Sequence, residues 1–256
     1  MVALLKLGMV VIEVLQLIND LTSIGLKPSS TNGNAFTSSI KNAVMAFQSQ
    51  NIGPNLLPLK VDGQVGPLTR WALDVALGKI QMPAIPALPS PGNNAKPAGV
   101  SQVAWNALQV ARREIGNGET TGDNKGPAVK KYHDVGGASE GDSWCASFVS
   151  FCFHDGNPGH MPYAATAGAR DTLAKFKAKN WTYTASLDNP PKPGDILVFW
   201  RGSMTGWMGH IGIVEAYENG IVTTIEGNKG PFKSVVRRYT YTLGQIDKLL
   251  GWGRVP

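Results

Sequence analysis

Cysteine is scarce in this chain. Two are present among 256 residues, Cys145 and Cys152, too few for a disulfide scaffold. Charge is also thin: 16% of residues are Asp, Glu, Lys or Arg. The basic ones form no dense run, which argues against a nucleic-acid groove. No stretch reaches the ~18 apolar residues that a membrane span needs. The N-terminal run "MVALLKLGMVVIEVLQLIND" comes nearest to a leader, but Lys6 and Glu13 interrupt it and no small-x-small cleavage site follows. Val11, Val14, Leu15 and Ile18 recur there at helical spacing. The run is therefore expected to be an amphipathic helix, and the protein to be made in the cytoplasm without a signal peptide.

What is present is an ordinary globular composition, 43% hydrophobic, with a net charge of +6. That excess favours an anionic partner, and nucleic acid, anionic lipid and bacterial wall polymers all qualify. The composition breaks at "PAIPALPSPGNNAKPAG", residues 83–99, where five prolines fall in a stretch with neither helical nor strand period. Such a stretch reads as a semi-extended linker. It predicts one domain over 1–82 and a second over 100–256, each long enough to hold a core.

Ahead of the linker, periodicity predicts helices over 10–21, 38–48 and 68–77, the second capped by Ser38 or Ser39 and the third opened by Pro67. After it, a helix is predicted over 101–116, a loop over 117–142, and a helix within 144–153 with Asp142 and Ser143 as candidate caps. Short β-branched or aromatic runs at 195–200, 210–217, 220–227, 234–240 and 249–255 read as strands. Helices followed by strands predict an α+β domain with an antiparallel sheet.

The segment "DSWCASFVSFCF" holds both cysteines. On a helix, seven residues separate Cys145 from Cys152 by about 10 Å, whereas a disulfide needs Cα atoms within about 7 Å. A structural zinc site calls for four ligands with short gaps between paired cysteines, and no such pair exists. Each thiol is thus a nucleophile or a buried hydrophobe. Cys145 falls in the first helical turn, where the dipole and unpaired N–H groups lower a thiol pKa. Cys152, among Phe148, Phe151 and Phe153, reads as packing.

A thiol nucleophile needs a base, and the base an orienting group. Of His133, His154, His160 and His210, the last opens a strand after a glycine-rich loop and can face a cleft. The hairpin around Asn219-Gly220 decides what it meets. A two-residue loop alone would pair His210 with Lys229 and turn it from Glu226 and Asn228. A three-residue loop, or an equivalent one-residue bulge, would set His210 opposite Asn228 and diagonal to Glu226 on one face.

Two resemblances follow. Leu15-Gln16, Phe47-Gln48 and Asp62-Gly63-x-Val65-Gly66 followed by Thr69 resemble the small three-helix peptidoglycan-binding domain of cell-wall hydrolases, over about residues 8–78. The first turn, Asn32-Gly33-Asn34-Ala35-Phe36, departs from that family's Asp-Gly-x-aromatic-Gly form. The resemblance implies a wall-binding surface that includes Asp62 and Gly63. "GDSWCASFVSFCF", "PGDILVFW", "GHIGIVEAY" and "TIEGN" resemble the CHAP family, the cysteine- and histidine-dependent amidohydrolases/peptidases, over about residues 101–256.

The second resemblance implies a papain-like α+β fold that cuts an amide bond of peptidoglycan without a cofactor. It implies Cys145 as nucleophile, His210 as base and then acid, Glu226 as its orienting group, and Asn228 supporting the ring or the substrate. Trp144 and Trp207 are candidates to line the cleft, and the Cys145 N–H to bind the oxyanion. Some relatives carry a calcium-binding Asp-x-Asp loop before the cysteine. Only Asp123, Glu140 and Asp142 lie there in this chain, so no metal is expected. Together the resemblances imply a modular phage endolysin or bacterial cell-wall hydrolase, monomeric and partnered by bacterial peptidoglycan. Neither nucleic acid nor stable membrane insertion is expected, and the wall would be reached by holin-type release or dedicated export. The alternatives are a non-catalytic wall-binding protein and a papain-like protease acting on protein.

Overall fold

A computed structural model describes residues 4–54, 59–81, 95–184, 188–229, 233–246 and 248–256. Most of the expected linker, through residue 94, lies outside the described residues. The chain forms two compact units. One comprises Met1–Ala84 with Thr121–Asp123 and Lys229–Ser234; the other comprises Ile85–Thr120, Asn124–Asn228 and Val235–Pro256. Among the described residues, no helix is long and apolar enough to cross a membrane.

The first unit contains α1 (Glu13–Ser23), α2 (Ser38–Gln50) and α3 (Pro67–Ala76). Val14, Leu17 and Leu21 supply the buried face of α1, while Leu15 stays on the surface. Val11 and Ile18 pack against the same core, so of the four apolar residues expected on this face only Leu15 departs from it. Thr37, rather than Ser38 or Ser39, caps α2 by accepting from the Ile40 N–H. Pro67 sits in the first turn of α3, where its missing N–H costs nothing. Phe36, Ile40, Val44, Phe47 and Leu73 fill the space between the helices.

The second unit sets four helices against one antiparallel sheet. The helices are α4 (Gln102–Arg113), α5 (Pro127–Gly136), α6 (Cys145–Gly156) and α7 (Ala169–Ala178). The strands are β1 (Thr182–Tyr183), β2 (Ile196–Trp200), β3 (Gly209–Glu218), β4 (Ile221–Glu226), β5 (Arg237–Thr242) and β6 (Leu249–Gly253), in the order β1-β6-β2-β3-β4-β5. Helix α5 corrects the expected loop over 117–142. Its few apolar residues, Val129 and Tyr132 among them, are buried, but lysines, glycines and acids around them dilute the helical period. The fifth strand begins at Arg237, not at residue 234.

Alternation along the strands gives the sheet two different faces. Ile196, Val198, Ile211, Ile213 and Ile225 pack with Phe148, Val149, Cys152 and Phe153 of α6. Leu197, Phe199, His210, Glu226, Tyr239 and Tyr241 lie on the opposite face, and all are buried. The sheet curls to cover that face itself: the Phe199 ring of β2 lies 5.5 Å from the Tyr241 ring of β5, across two intervening strands.

The β3–β4 hairpin fixes the register. Asn219 and Gly220 both have positive φ, 49° and 82°, the signature of a tight two-residue turn, and Glu218 pairs with Ile221. The register then shifts by one residue between Val214 and Ala216, so that Ile213 pairs with Ile225. Continued along β3, the shifted register sets His210 opposite Asn228. The shift comes from a bulge at Glu215, not from a longer loop. Burial pushes the Glu215 carboxyl up, but Arg238 and Arg112 more than offset this and hold it below its usual range. Both arginines bond it, Arg112 through Nε at 2.9 Å. The extra residue of the bulge is thus anchored by charge.

Candidate active site

Helix α6 starts at Cys145. The expected caps, Asp142 and Ser143, do not serve it. Trp144 holds the N-cap position without a side-chain bond of its own, and its N–H donates to Asn228 Oδ1 at 3.0 Å. A residue beyond the end of β4 therefore caps the helix in trans. Asn228 has φ +56°, a left-handed conformation that asparagine tolerates better than most. Its Nδ2 donates to Asn124 Oδ1 at 2.7 Å and Glu119 Oε1 at 3.4 Å. Asn228, expected to support the His210 ring or the substrate, thus bonds the helix start and the neighbouring loop.

The backbone N–H groups of Ala146 and of Ile211, the residue after His210, act on the Cys145 sulfur and favour its thiolate. Only 5% of Cys145 is exposed. Burial pushes its thiol up to about 11, against the charge of Arg201 and those two N–H groups, which pull down. The expected lowering by the helix start is present as a contribution, but desolvation outweighs it. Cys152 is fully buried in the core, and burial holds its thiol well above the usual range. Neither cysteine is in a disulfide.

His210 is 2% exposed and Glu226 is 0% exposed. His210 Nε2 lies 2.7 Å from Glu226 Oε2. With Nε2 donating to the carboxylate, Nδ1 is the ring atom left to accept a proton. Glu226 Oε1 also accepts from Tyr241 Oη at 2.6 Å and from Thr224 Oγ1 at 2.5 Å. Burial, and then the nearby Glu226 charge, hold the Tyr241 phenol well above its usual range, so it remains a donor. The Phe199 ring lies 6.0 Å from the His210 ring and flanks it on the curled face. Arg201, one residue beyond β2, is almost fully buried, and its charge acts on Cys145, Glu226, Tyr241 and Tyr239.

Residues 136–228 match the family model of the CHAP domain. All four residues assigned to chemistry lie inside the match, while Tyr241 and helix α4 lie outside it. The match supports a CHAP-family peptidase/amidase. A comparison with curated proteins gives no match. Among solved structures, the chain is similar to the crystal structure of Ly7917, at 18% identity and a TM-score of 0.34, over 60% of this chain and 62% of that one. It is also similar to the structure of Ly7917 with the hydrolysing product of MDP, at 19% identity and a TM-score of 0.36, with the same coverage. The chain thus spans 62% of the length of these structures.

Of the residues expected to line a cleft beside Cys145, Trp144 does not. It is fully buried, stacks on Tyr132 with ring centroids 5.6 Å apart, and donates from Nε1 to Glu119 Oε1 at 3.0 Å. A Cβ on Gly227 would come within 2.3 Å of its ring, so the indole fills a slot that only glycine leaves open. Trp207 is 86% exposed. It sits in the loop entering β3, and Arg170 of α7 holds that loop by donating to the carbonyls of Ser203, Met204 and Met208 at 2.8–2.9 Å. Arg201, Thr224 and Tyr241 were missed by sequence reasoning. Strand parity carried the signal: Arg201 shares a face with Phe199, and Tyr241 one with Tyr239.

In the first unit, the expected binding residues form a tight turn. Gln48 Oε1 accepts from the N–H groups of Asp62 and Gly63 at 3.0 and 2.8 Å. Its Nε2 donates to Asp62 Oδ1, the Gln64 carbonyl and Thr69 Oγ1. Asp62 lines a pocket of about 240 Å³ together with Leu4, Leu59, Lys60 and Leu68. Gly63 is buried against Lys41 and Met45. Its N–H points inward to Gln48, so its place is in holding the turn rather than in touching a ligand. Among the described residues, no three His, Cys, Asp or Glu side chains group so as to hold a metal ion.

Proposed function

We propose that the second unit is a cysteine-dependent peptidoglycan hydrolase that cleaves an amide bond of the wall, and that the first unit binds the same polymer. The observation that carries the reading is the His210 Nε2–Glu226 Oε2 bond of 2.7 Å, made by the residue preceding Ile211, whose N–H favours the Cys145 thiolate. It is supported by the match of residues 136–228 to the CHAP domain.

In this reading His210 Nδ1 takes the Cys145 proton and the thiolate attacks the amide carbonyl. The oxyanion is met by the Cys145 backbone N–H, which belongs to the first helical turn and has no intrahelical acceptor. The imidazolium then protonates the leaving amine, the C–N bond breaks, and water hydrolyses the thioester by the same base. Glu226 keeps the ring in the required tautomer and balances its transient charge. Thr224 and Tyr241 hold the carboxylate still. Tethering a wall binder to this site raises the effective concentration of catalyst at its substrate. A phage endolysin or an exported wall hydrolase would use such a pairing.

The test is loss of turbidity of purified sacculi. The wild-type chain is expected to clear them and Cys145→Ala to leave them intact with unchanged circular dichroism. Equal clearing by Cys145→Ala would overturn the thiol mechanism. Activity on casein with none on sacculi would place the substrate among proteins. Mass spectrometry of the released muropeptides names the bond that is cut.

A further inference from the structure

Resting on these roles for Cys145 and His210, the interior of the curled sheet raises a question of charge balance. Glu226 of β4 is fully buried. The groups facing it are His210 of β3, Thr224 of β4, Tyr241 of β5 and Arg201 at the end of β2, with Tyr239 and the directly paired Arg237 of β5 beside them and Cys145 of α6 at the helix side. A carboxylate removed from water needs a countercharge. Three groups here can supply one: the imidazolium of His210, the guanidinium of Arg201, and that of Arg237, which pairs with Glu226 from β5 but is half-exposed to water, where its charge is screened.

Geometry places Arg201 for that task. Trp200 pairs with Gly209, and the Arg201 N–H continues the ladder to the Met208 carbonyl at 3.0 Å. By strand parity Arg201 shares the curled face with Phe199, the residue paired with His210 and in ring contact with both His210 and Tyr241. Its side chain is among the largest fully buried ones. A guanidinium also keeps its charge where an ammonium or imidazolium would lose it.

We propose that Arg201 is a positioning residue that balances Glu226, so that His210 rests as a neutral ring able to accept the Cys145 proton. Without Arg201, the imidazolium is the cation that answers the buried carboxylate. The ring is then already protonated beside a neutral thiol and cannot act as a base. With Arg201 present, Glu226 is satisfied, and the ring gains its proton only when Cys145 loses one, so that thiolate and imidazolium balance each other.

The inference is tested by NMR titration of the histidine rings in the full chain carrying Cys145→Ala, which removes the competing thiol. The four histidines give four curves. Adding Arg201→Met is expected to raise the His210 midpoint by about one pH unit or more, the usual effect of losing a nearby charge. A second comparison covers the case in which that variant does not fold. Glu226→Gln alone leaves Arg201 unbalanced, whereas Glu226→Gln with Arg201→Met leaves no lone charge. The double substitution is expected to titrate at least about one unit above the single one. An unchanged midpoint in either comparison overturns the inference. No substrate enters the measurement, so its failure is distinguishable from failure of the proposed hydrolase activity.

Discussion

Gly212 lies directly beneath the side chain of Glu226. A Cβ at Gly212 would come within 2.4 Å of Glu226 Cγ, closer than any packed pair of carbons allows. The carboxylate cannot retreat, because His210, Thr224 and Tyr241 hold it from three sides. Gly212→Ala is therefore expected to cost about 1–3 kcal/mol of stability from overpacking and, on the proposed mechanism, to lower kcat about 100-fold by displacing Glu226. Steady-state kinetics beside a thermal melt checks the split. Full activity with the alanine in place would mean that the position of Glu226 is not needed.

The bulge at Glu215 sets the register that brings His210 to Glu226. Removing the carboxylate in Glu215→Ala leaves Arg112 and Arg238 without their shared anion, an expected loss of about 3–5 kcal/mol. The pH dependence has a definite sign. The folded-state pKa of Glu215 lies below its usual value, so its contribution is present above the ordinary glutamate range and fades as pH falls through the lowered value. Urea midpoints measured from pH 7 down to pH 3 should fall less steeply in Glu215→Ala than in the wild type.

Asn228 caps α6, and two substitutions separate its parts. Asn228→Gly keeps the left-handed backbone and leaves the Trp144 N–H without its acceptor, an expected cost of about 1–3 kcal/mol. Asn228→Ala loses the cap and also strains the backbone, adding about 1–2 kcal/mol. Both should lower the melting temperature in that order while leaving the acid limb of the pH–rate profile where it was. A shift of that limb would instead make Asn228 a partner of the imidazole.

The raised thiol of Cys145 gives a fourth expectation. Burial favours the neutral thiol up to about pH 11. In His210→Ala, alkylation of Cys145 by iodoacetamide should therefore climb only as the pH approaches that value, and in the wild type it should be faster at neutral pH. Peptide mapping separates Cys145 from Cys152. The same shift predicts that the neutral thiol supports folding fully below about pH 8.5, the free thiol range, and that this support is lost as pH rises toward 11.

Strands β2 to β6 were legible because β-branched or aromatic runs split by turns admit little else, whereas the two-residue β1 is too short to show a period. The helix at Cys145 was legible because ten residues without Gly or Pro separate two turns. What sequence left open was decided by contacts between distant segments. The hairpin admitted two registers, and the choice fell to Glu215, whose partners Arg112 and Arg238 lie far from it in sequence. Trp144 beside a nucleophile suggests a cleft wall. It is a core residue because Gly227 and Glu119 shape a slot for it. The cap of α6 lies 84 residues from the N–H it serves, beyond the reach of any local capping rule. The high thiol pKa has the same origin, since a helix start is a local property and desolvation is not.

Two devices shape the β3–β4 hairpin, and they are separated along it. The turn at Asn219-Gly220 closes the tip, while the bulge at Glu215 sets the pairing on the side of the site. A change at the tip is felt by the strands between the two and by Leu243, whose N–H donates to the Gly220 carbonyl at 2.8 Å. The tip is therefore a graft point: a tag or a reporter peptide inserted between Asn219 and Gly220 rides on an arm whose base is clamped by the Glu215 ion pairs, and the His210–Glu226 bond below the clamp keeps its geometry.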